Sequence, residues 1–316
     1  MSELFAALQA AGRVREEVSD RAWLQAMLDA EAALAHALSD AGRIDRGEAD
    51  GIAAACDVTM YDAAELGRDA AAAGNPVVPL VRELTRRAGS AGTSVHSGAT
   101  SQDILDTALM LVARRAVDVM LADLDSCADV VAGLAAEHVD TLQAGRTLLQ
   151  QAAPTTFGLT AAVWLSGLLA AGDALREARG RLAVQLGGAV GTLASLGDDG
   201  PRVLATMARR LELAEPVLPW HTERSRLAAL AAALGQAAGT VAMIGRTITL
   251  LAQSEVAEVR EEGPPGSGGS STLPNKCNPV AAVLAVACAR QAPGLVATAE
   301  DECCAHDDQD VGTDAG

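Results

Sequence analysis

The stretch Gly268-Gly269-Ser270-Ser271-Thr272-Leu273-Pro274-Asn275-Lys276-Cys277-Asn278-Pro279 places hydroxyls, an ammonium and an amide among residues that bend the chain sharply. A hydroxyl exchanges a proton with carbon only if its alkoxide is stabilised. Glycines let backbone N–H groups converge on an anion, and a nearby ammonium lowers the cost further. Ser270 therefore reads as a proton donor or acceptor at carbon. Lys276 and the Asn278 amide would hold a carboxylate whose charge grows as that proton leaves. The Gly-x4-Gly-Lys-Ser/Thr order of a nucleotide loop is missing. From Glu262 to Asn278 the segment exceeds the usual bundle connection of about 2 to 8 residues. A flexible linker is the competing reading of such a composition.

Two further segments carry reactive or ligand-binding types. His96-Ser97-Gly98-Ala99-Thr100-Ser101-Gln102-Asp103 puts a histidine and two hydroxyls at a helix start, which suits a carboxylate. It also has the form of a plain capping box. Gly145 to Gly158 is read as a polar loop ahead of a helix, in which Arg146 and Gln150 either bind a substrate or satisfy backbone groups.

The elements that must position these groups read as helices. Leu24, Met27, Leu28, Ala32, Leu34, Ala35 and Leu38 fall at helical spacing over residues 20–42. Leu105, Leu109, Val112, Ala116 and Val119 form a bundle seam in a helix from Thr100 to near Asp140. Further helices are expected over 155–184, 221–261 and 279–297, with breaks at Gly187-Gly188 and Gly197–Pro201, and no strand alternation is apparent. Aromatic residues make up 2% of the chain, so Ala, Leu and Val must form the core, a composition that favours helices over sheets.

Two uncharged runs, 147–172 and 227–245, are long enough to cross a bilayer. Their glutamines, Pro154, and Ala and Gly content suit helices buried inside a large bundle instead, and so no membrane is expected. Such helices carry more apolar face than one subunit covers, which points to an oligomer. The net charge of −17 argues against nucleic-acid binding. Six scattered cysteines and the lack of a basic-then-apolar N-terminus fit a reducing cytoplasm.

In order along the chain, the three segments resemble the fumarase/aspartase superfamily. Gly269 to Pro279 looks like its Gly-Ser-Ser-x-Met-Pro-x-Lys-x-Asn-Pro signature, with Leu273 for Met. His96–Asp103 and Arg146–Gly158 are similar to the H-x-G-A-T-S-Q-D and R-T-x-x-Q-x-A-x-P-T-T-F-G segments of its adenylosuccinate lyase and cycloisomerase branch. Adenylosuccinate lyases carry a catalytic His where Leu148 stands, whereas Gly145–Ala152 and Pro219–Arg226 resemble the 3-carboxy-cis,cis-muconate cycloisomerase family.

The resemblance covers residues 15–298 and implies an all-α, long-helix bundle. It also implies a homotetramer whose active sites are shared between subunits, acting on a small polycarboxylate through an aci-carboxylate. No metal and no cofactor is implied. It gives Ser270, Lys276 and Asn278 the catalytic roles read above. His96, Thr100, Ser101 and Gln150 become carboxylate contacts, and Arg146, His221 and Arg224 further candidates. For His221, a purely structural bond at a helix start is the competing reading. A fumarate-releasing lyase and an inactive helical assembly protein are the alternative functions.

The expected division is a helical domain over 1–92, a central bundle over 93–298 with the loop at 262–279, and a disordered acidic tail over 299–316. That tail stands where the family adds a C-terminal domain. Within it, Cys303, Cys304 and His306 form a poor metal set. Cys277 and Ser225 stand where the family usually has a polar residue or Arg, and Asp.

Overall fold

The computed structural model describes residues 12–263, 266–273 and 276–304. In chain order the helices are α1 (Val14–Glu17), α2 (Asp20–Asp40), α3 (Arg46–Ala54), α4 (Ala63–Ala73), α5 (Val77–Arg87) and α6 (Ser101–Glu137). After a hairpin of β1 (Leu142–Thr147) and β2 (Gln150–Thr156) come α7 (Phe157–Gly180), α8 (Gly200–Leu211), α9 (Ser225–Leu251), α10 (Val280–Ala289) and α11 (Ala292–Cys304). The all-α reading holds, with the hairpin as its one exception among the described residues.

The chain divides into two compact units. The first comprises Gly12–Asp118 and Arg179–Arg226, so the expected boundary at residue 92 is not an edge of it. The reason lies in packing: the first turns of α6 bury Ile104, Ala108, Met110 and Leu111 in this unit's core, and α8 lies against α2. Helix α2 starts where the Ser19 hydroxyl accepts the Ala22 N–H, and it buries Leu24, Met27, Leu28, Leu34 and Leu38. On the same stripe sits Glu31, 1% exposed.

The second unit comprises Val119–Ala178 and the described part of Leu227–Ala305. Its core joins Ala128 and Val131 of α6 to Ala161, Trp164 and Leu168 of α7. Phe157 meets the Trp164 ring edge-on at 5.8 Å. Small residues on α9 seat the last helices. A Cβ on Gly245 would lie 2.9 Å from the Ala282 carbonyl oxygen, and one on Gly235 would lie 2.8 Å from Val296.

Several expectations need correction. Residues 142–156 pair as antiparallel strands rather than forming a loop. Helix α9 starts at Ser225, where the Glu223 carboxylate accepts the Ser225 N–H, and not at His221. It stops at Leu251, because Ala257 turns left-handed (φ 50°) and the Glu258 N–H folds back onto the Leu251 carbonyl. The last helix is two helices, broken after Ala289, with Pro293 in the first turn of α11. Helix α11 continues to Cys304, so 299–304 are not a disordered tail, while the rest of the expected tail, including His306, lies outside the described residues.

The uncharged helices are not buried within the single chain. In the most apolar windows of α7 and α9, 39% and 17% of residues are buried. Both helices, and the stretch Val280–Asp301, are long and apolar enough to cross a membrane by length and composition alone.

Candidate active site

In the first unit the site is organised by Asp103, which has no exposed surface. The Thr100-x-x-Asp103 pattern gives one half of the capping box: the Thr100 N–H donates to Asp103 Oδ2 at 2.9 Å. The carboxylate does more than cap. It accepts the N–H groups of Gly187 and Gly188 at 2.8 and 3.0 Å, and His221 Nε2 lies 2.7 Å from its Oδ1. Gly187-Gly188, read from sequence only as a break, is thus the backbone cradle of a buried carboxylate. A Cβ on Gly187 would sit 2.8 Å from His221 Cε1, so glycine is what lets the imidazole approach.

One turn on, Asp106 takes both ends of the Arg224 guanidinium at 2.7 and 2.9 Å. Arg224 and Arg226 both lie over the Trp220 ring, whose Nε1–H donates to the Val184 carbonyl. Gln102 Nε2 donates to the His221 carbonyl at 2.9 Å. The start of α6 therefore grips His221 through Gln102 and Asp103, and Arg224 through Asp106.

His96 adopts a left-handed backbone (φ 58°), and its Nδ1 lies 2.6 Å from Glu31 Oε1. Burial opposes its charge. The hydrogen bond to Glu31, with the negative charges of Glu31 and Asp103, outweighs that cost, so its pKa stands above the usual 6.5. Thr100 and Ser101 are half-buried at the N-terminal end of α6, where free N–H groups favour an anion.

In the second unit the signature loop folds on itself. The backbone N–H and the Nδ2 of Asn278 both donate to the Gly268 carbonyl, at 2.8 and 2.9 Å. Gly268 is left-handed (φ 68°), and a Cβ there would lie 2.4 Å from the Asn278 carbonyl oxygen. Ser270 Oγ accepts the N–H groups of Thr272 and Leu273 at 3.2 and 3.1 Å. The expected nest is therefore built differently. The glycine supplies the carbonyl that closes the loop, and the amides at the seryl oxygen come from the residues after it. Pro274 and Asn275 of the signature lie outside the described residues.

Lys276, Cys277 and Asn278 line an open cleft of about 820 Å³ with Thr249, Gln253 and Leu273. Glu261 accepts the N–H groups of Ala281 and Ala282, so an acid fixes the helix that follows the loop.

Arg146 lies on β1, where Glu258 takes both its guanidinium ends, at 3.0 and 2.5 Å. That hydrogen bond raises the Arg146 pKa and lowers that of Glu258. Gln143 also donates to Glu258, at 2.9 Å. Arg146 lines a second cleft of about 580 Å³, and Gln253 borders both clefts. Gln150 opens β2, exposed, opposite Thr147. The turn between the strands is Leu148-Leu149, both left-handed (φ 50° and 65°) and exposed at 96% and 69%.

Of the expected site residues, His96, Thr100, Ser101, His221 and Arg224 thus fall in the first unit. Arg146, Gln150, Ser270, Lys276 and Asn278 fall in the second. Arg146 and Arg224 are each taken bidentately by an acid of the chain. Sequence reasoning missed the acids themselves: Glu31, Asp106 and Glu258, and the wider role of Asp103. Glu31 had a signal, since it falls on the apolar stripe of α2 at heptad spacing from Leu24 and Leu38.

The profile of the Lyase family matches residues 7–294. The 3-carboxy-cis,cis-muconate cycloisomerase of Pseudomonas aeruginosa is 46% identical, across 94% of this chain and 66% of its own length. That of Bradyrhizobium diazoefficiens is 44% identical, across 94% and 67%. The crystal structure of the 3-carboxy-cis,cis-muconate lactonizing enzyme from Pseudomonas putida superposes with a TM-score of 0.90 at 44% identity, over 94% of this chain and 67% of that one. The chain spans about two thirds of the length of these relatives. It belongs to the Lyase family, an enzyme family in which these cycloisomerases are its relatives.

Proposed function

We propose that the protein is a cycloisomerase that interconverts 3-carboxy-cis,cis-muconate and 4-carboxymuconolactone in the degradation of protocatechuate. A carboxylate oxygen of the substrate adds to a C=C bond, and the neighbouring carbon takes a proton. The carbon skeleton and all oxygens are kept, and the one proton gained at carbon is drawn through the protein from solvent as a carboxylate becomes the lactone. In the lactone-forming direction an aci-carboxylate forms first. Ser270 then gives its hydroxyl proton to carbon, and its alkoxide is reprotonated from solvent.

The observation that carries this reading is the seryl oxygen accepting two backbone N–H groups inside a closed loop. Donors aimed at an oxygen that becomes anionic lower the cost of deprotonating it. Lys276 supplies the charge that stabilises the aci-carboxylate. Asn278 holds the loop shut with one Nδ2 hydrogen and has a second for the substrate. In the first unit, His96, His221 and the start of α6 supply the carboxylate contacts. The exposed Leu148, which cannot transfer a proton, disfavours the fumarate-releasing chemistry of adenylosuccinate lyases.

The apolar faces of α7 and α9, left largely uncovered within the chain, support assembly into a homotetramer with sites shared between subunits, and the likeness to bacterial cycloisomerases supports a soluble, cytoplasmic one. The test adds 3-carboxymuconate and follows loss of diene absorbance. Wild-type protein is expected to consume it, and Ser270→Ala to lower kcat by about 10²–10⁴ with an unchanged unfolding midpoint. Equal turnover by the two proteins, or none by a folded and assembled wild type, would reject the reading.

A further inference from the structure

We infer that Glu31 is the positioning residue for His96: from inside α2 its carboxylate holds the imidazole by Nδ1 and turns Nε2 away from the helix as the donor to a substrate carboxylate. This rests on the reading of His96 as a substrate contact. Two independent features converge on this one bond. Glu31 occupies a buried stripe whose other members are apolar, and its Oε2 has no hydrogen-bond partner among the described residues. An acid half-satisfied in a core is unfavourable for packing, and an apolar side chain would serve the helix better. His96, for its part, is held left-handed, a conformation that L residues avoid and that recurs where function demands it. Both features meet in the one contact that brings Nδ1 within 2.6 Å of Oε1.

The bond has a chemical consequence. A carboxylate accepts, so Nδ1 carries the hydrogen, and the proton that the ring gains or loses is the one on Nε2. The charges that face the ring are Glu31 on α2 and Asp103 on α6, the latter met in turn by His221 from the segment before α9. Cys56, close enough to feel Glu31, does not compete. Burial, reinforced by Glu31 and Asp29, pushes its thiol up to about 12 and keeps it neutral. Glu31 and Asp103 therefore favour the protonated ring, the form that a dianionic or trianionic substrate would select. A merely structural ion pair would tie α2 to the 89–98 segment equally well, but it would not make substrate affinity depend on the proton.

The test uses the full chain with labelled histidine, whose five imidazoles can be followed by NMR. The His96 resonance, assigned by its loss in His96→Gln, is expected to titrate above 6.5 in the wild type. In Glu31→Gln, which keeps an acceptor of the same shape, it should fall by a unit or more, a tenfold loss of proton affinity. With 3-carboxymuconate, Glu31→Gln should raise KM at least tenfold at pH 8 and little at pH 6, with a smaller effect on kcat. A wild-type His96 titrating at or below 6.5, or a KM rise of equal size at every pH, would overturn the inference. The expected NMR shift in a protein that consumes no muconate would sustain the positioning of the ring and reject the cycloisomerase reading alone.

Discussion

His221 Nε2 lies 2.7 Å from Oδ1 of Asp103, a carboxylate with no exposed surface that also gathers the N–H groups of Thr100, Gly187 and Gly188. Four donors from three separate chain segments end on one side chain. Asp103→Ala would strand all of them in the core. Removing one partner of a buried, charge-assisted set costs about 3–5 kcal/mol. Urea unfolding should show a loss of that size, with secondary structure retained at zero denaturant. A loss below about 1 kcal/mol would place Asp103 in the class of ordinary exposed caps.

Gly268 should behave in the opposite way, with a small effect on stability and a large one on turnover. Its left-handed backbone costs an L residue about 1–2 kcal/mol, and the added Cβ would lie 2.4 Å from the Asn278 carbonyl oxygen. The loop is largely exposed, so the strain is relieved by opening it and not by unfolding the unit. Gly268→Ala is expected to cleave faster within 262–279 under limited proteolysis. Its kcat should fall at least tenfold, about 1.4 kcal/mol of barrier, at an unchanged unfolding midpoint.

The long helices were legible because their apolar residues recur with a helical period and because Thr100 with Asp103 marks the start of α6, whereas Ser19 before α2 and the short helices emerged only in the structure. The hairpin was not legible. Its strands, LQAGRT and QQAAPTT, are mostly exposed and lack the buried alternation that marks a strand, and Leu148-Leu149 carries none of the residues that announce a tight turn. The signature loop was legible as a site from its residue types, but not in its wiring, since which carbonyl or amide meets which side chain is a property of the folded backbone. Asp103 was read only as a cap, because sequence shows the local half of its contacts, and Gly187, Gly188 and His221 lie more than eighty residues away.

That hairpin turn yields a prediction of its own. Two left-handed leucines in a two-residue connection adopt the geometry that Asn-Gly adopts without strain. Leu148→Asn with Leu149→Gly should therefore stabilise the second unit by about 1–2 kcal/mol, since neither leucine is buried within the chain. Urea unfolding of the double variant checks this, and a lower midpoint would show that the leucines hold something in place. Comparing the variants over a range of protein concentrations identifies assembly as that something.

The Glu31–His96 pair fixes a pH dependence whose sign can be worked out. The folded-state pKa of His96 is raised above its ordinary 6.5. A group raised in this way contributes stability that is fully present below 6.5 and is lost as pH rises through the folded value, because the folded state then gives up a proton it had bound more tightly than the unfolded state. The difference in unfolding free energy between wild type and Glu31→Gln should therefore be largest near pH 6 and shrink steadily toward pH 9. Parallel urea titrations from pH 6 upward measure it. A difference that stays constant over this range would mean that Glu31 stabilises the fold by packing or by a neutral hydrogen bond. A difference that grows with pH would mean that burial, and not the carboxylate, governs the imidazole.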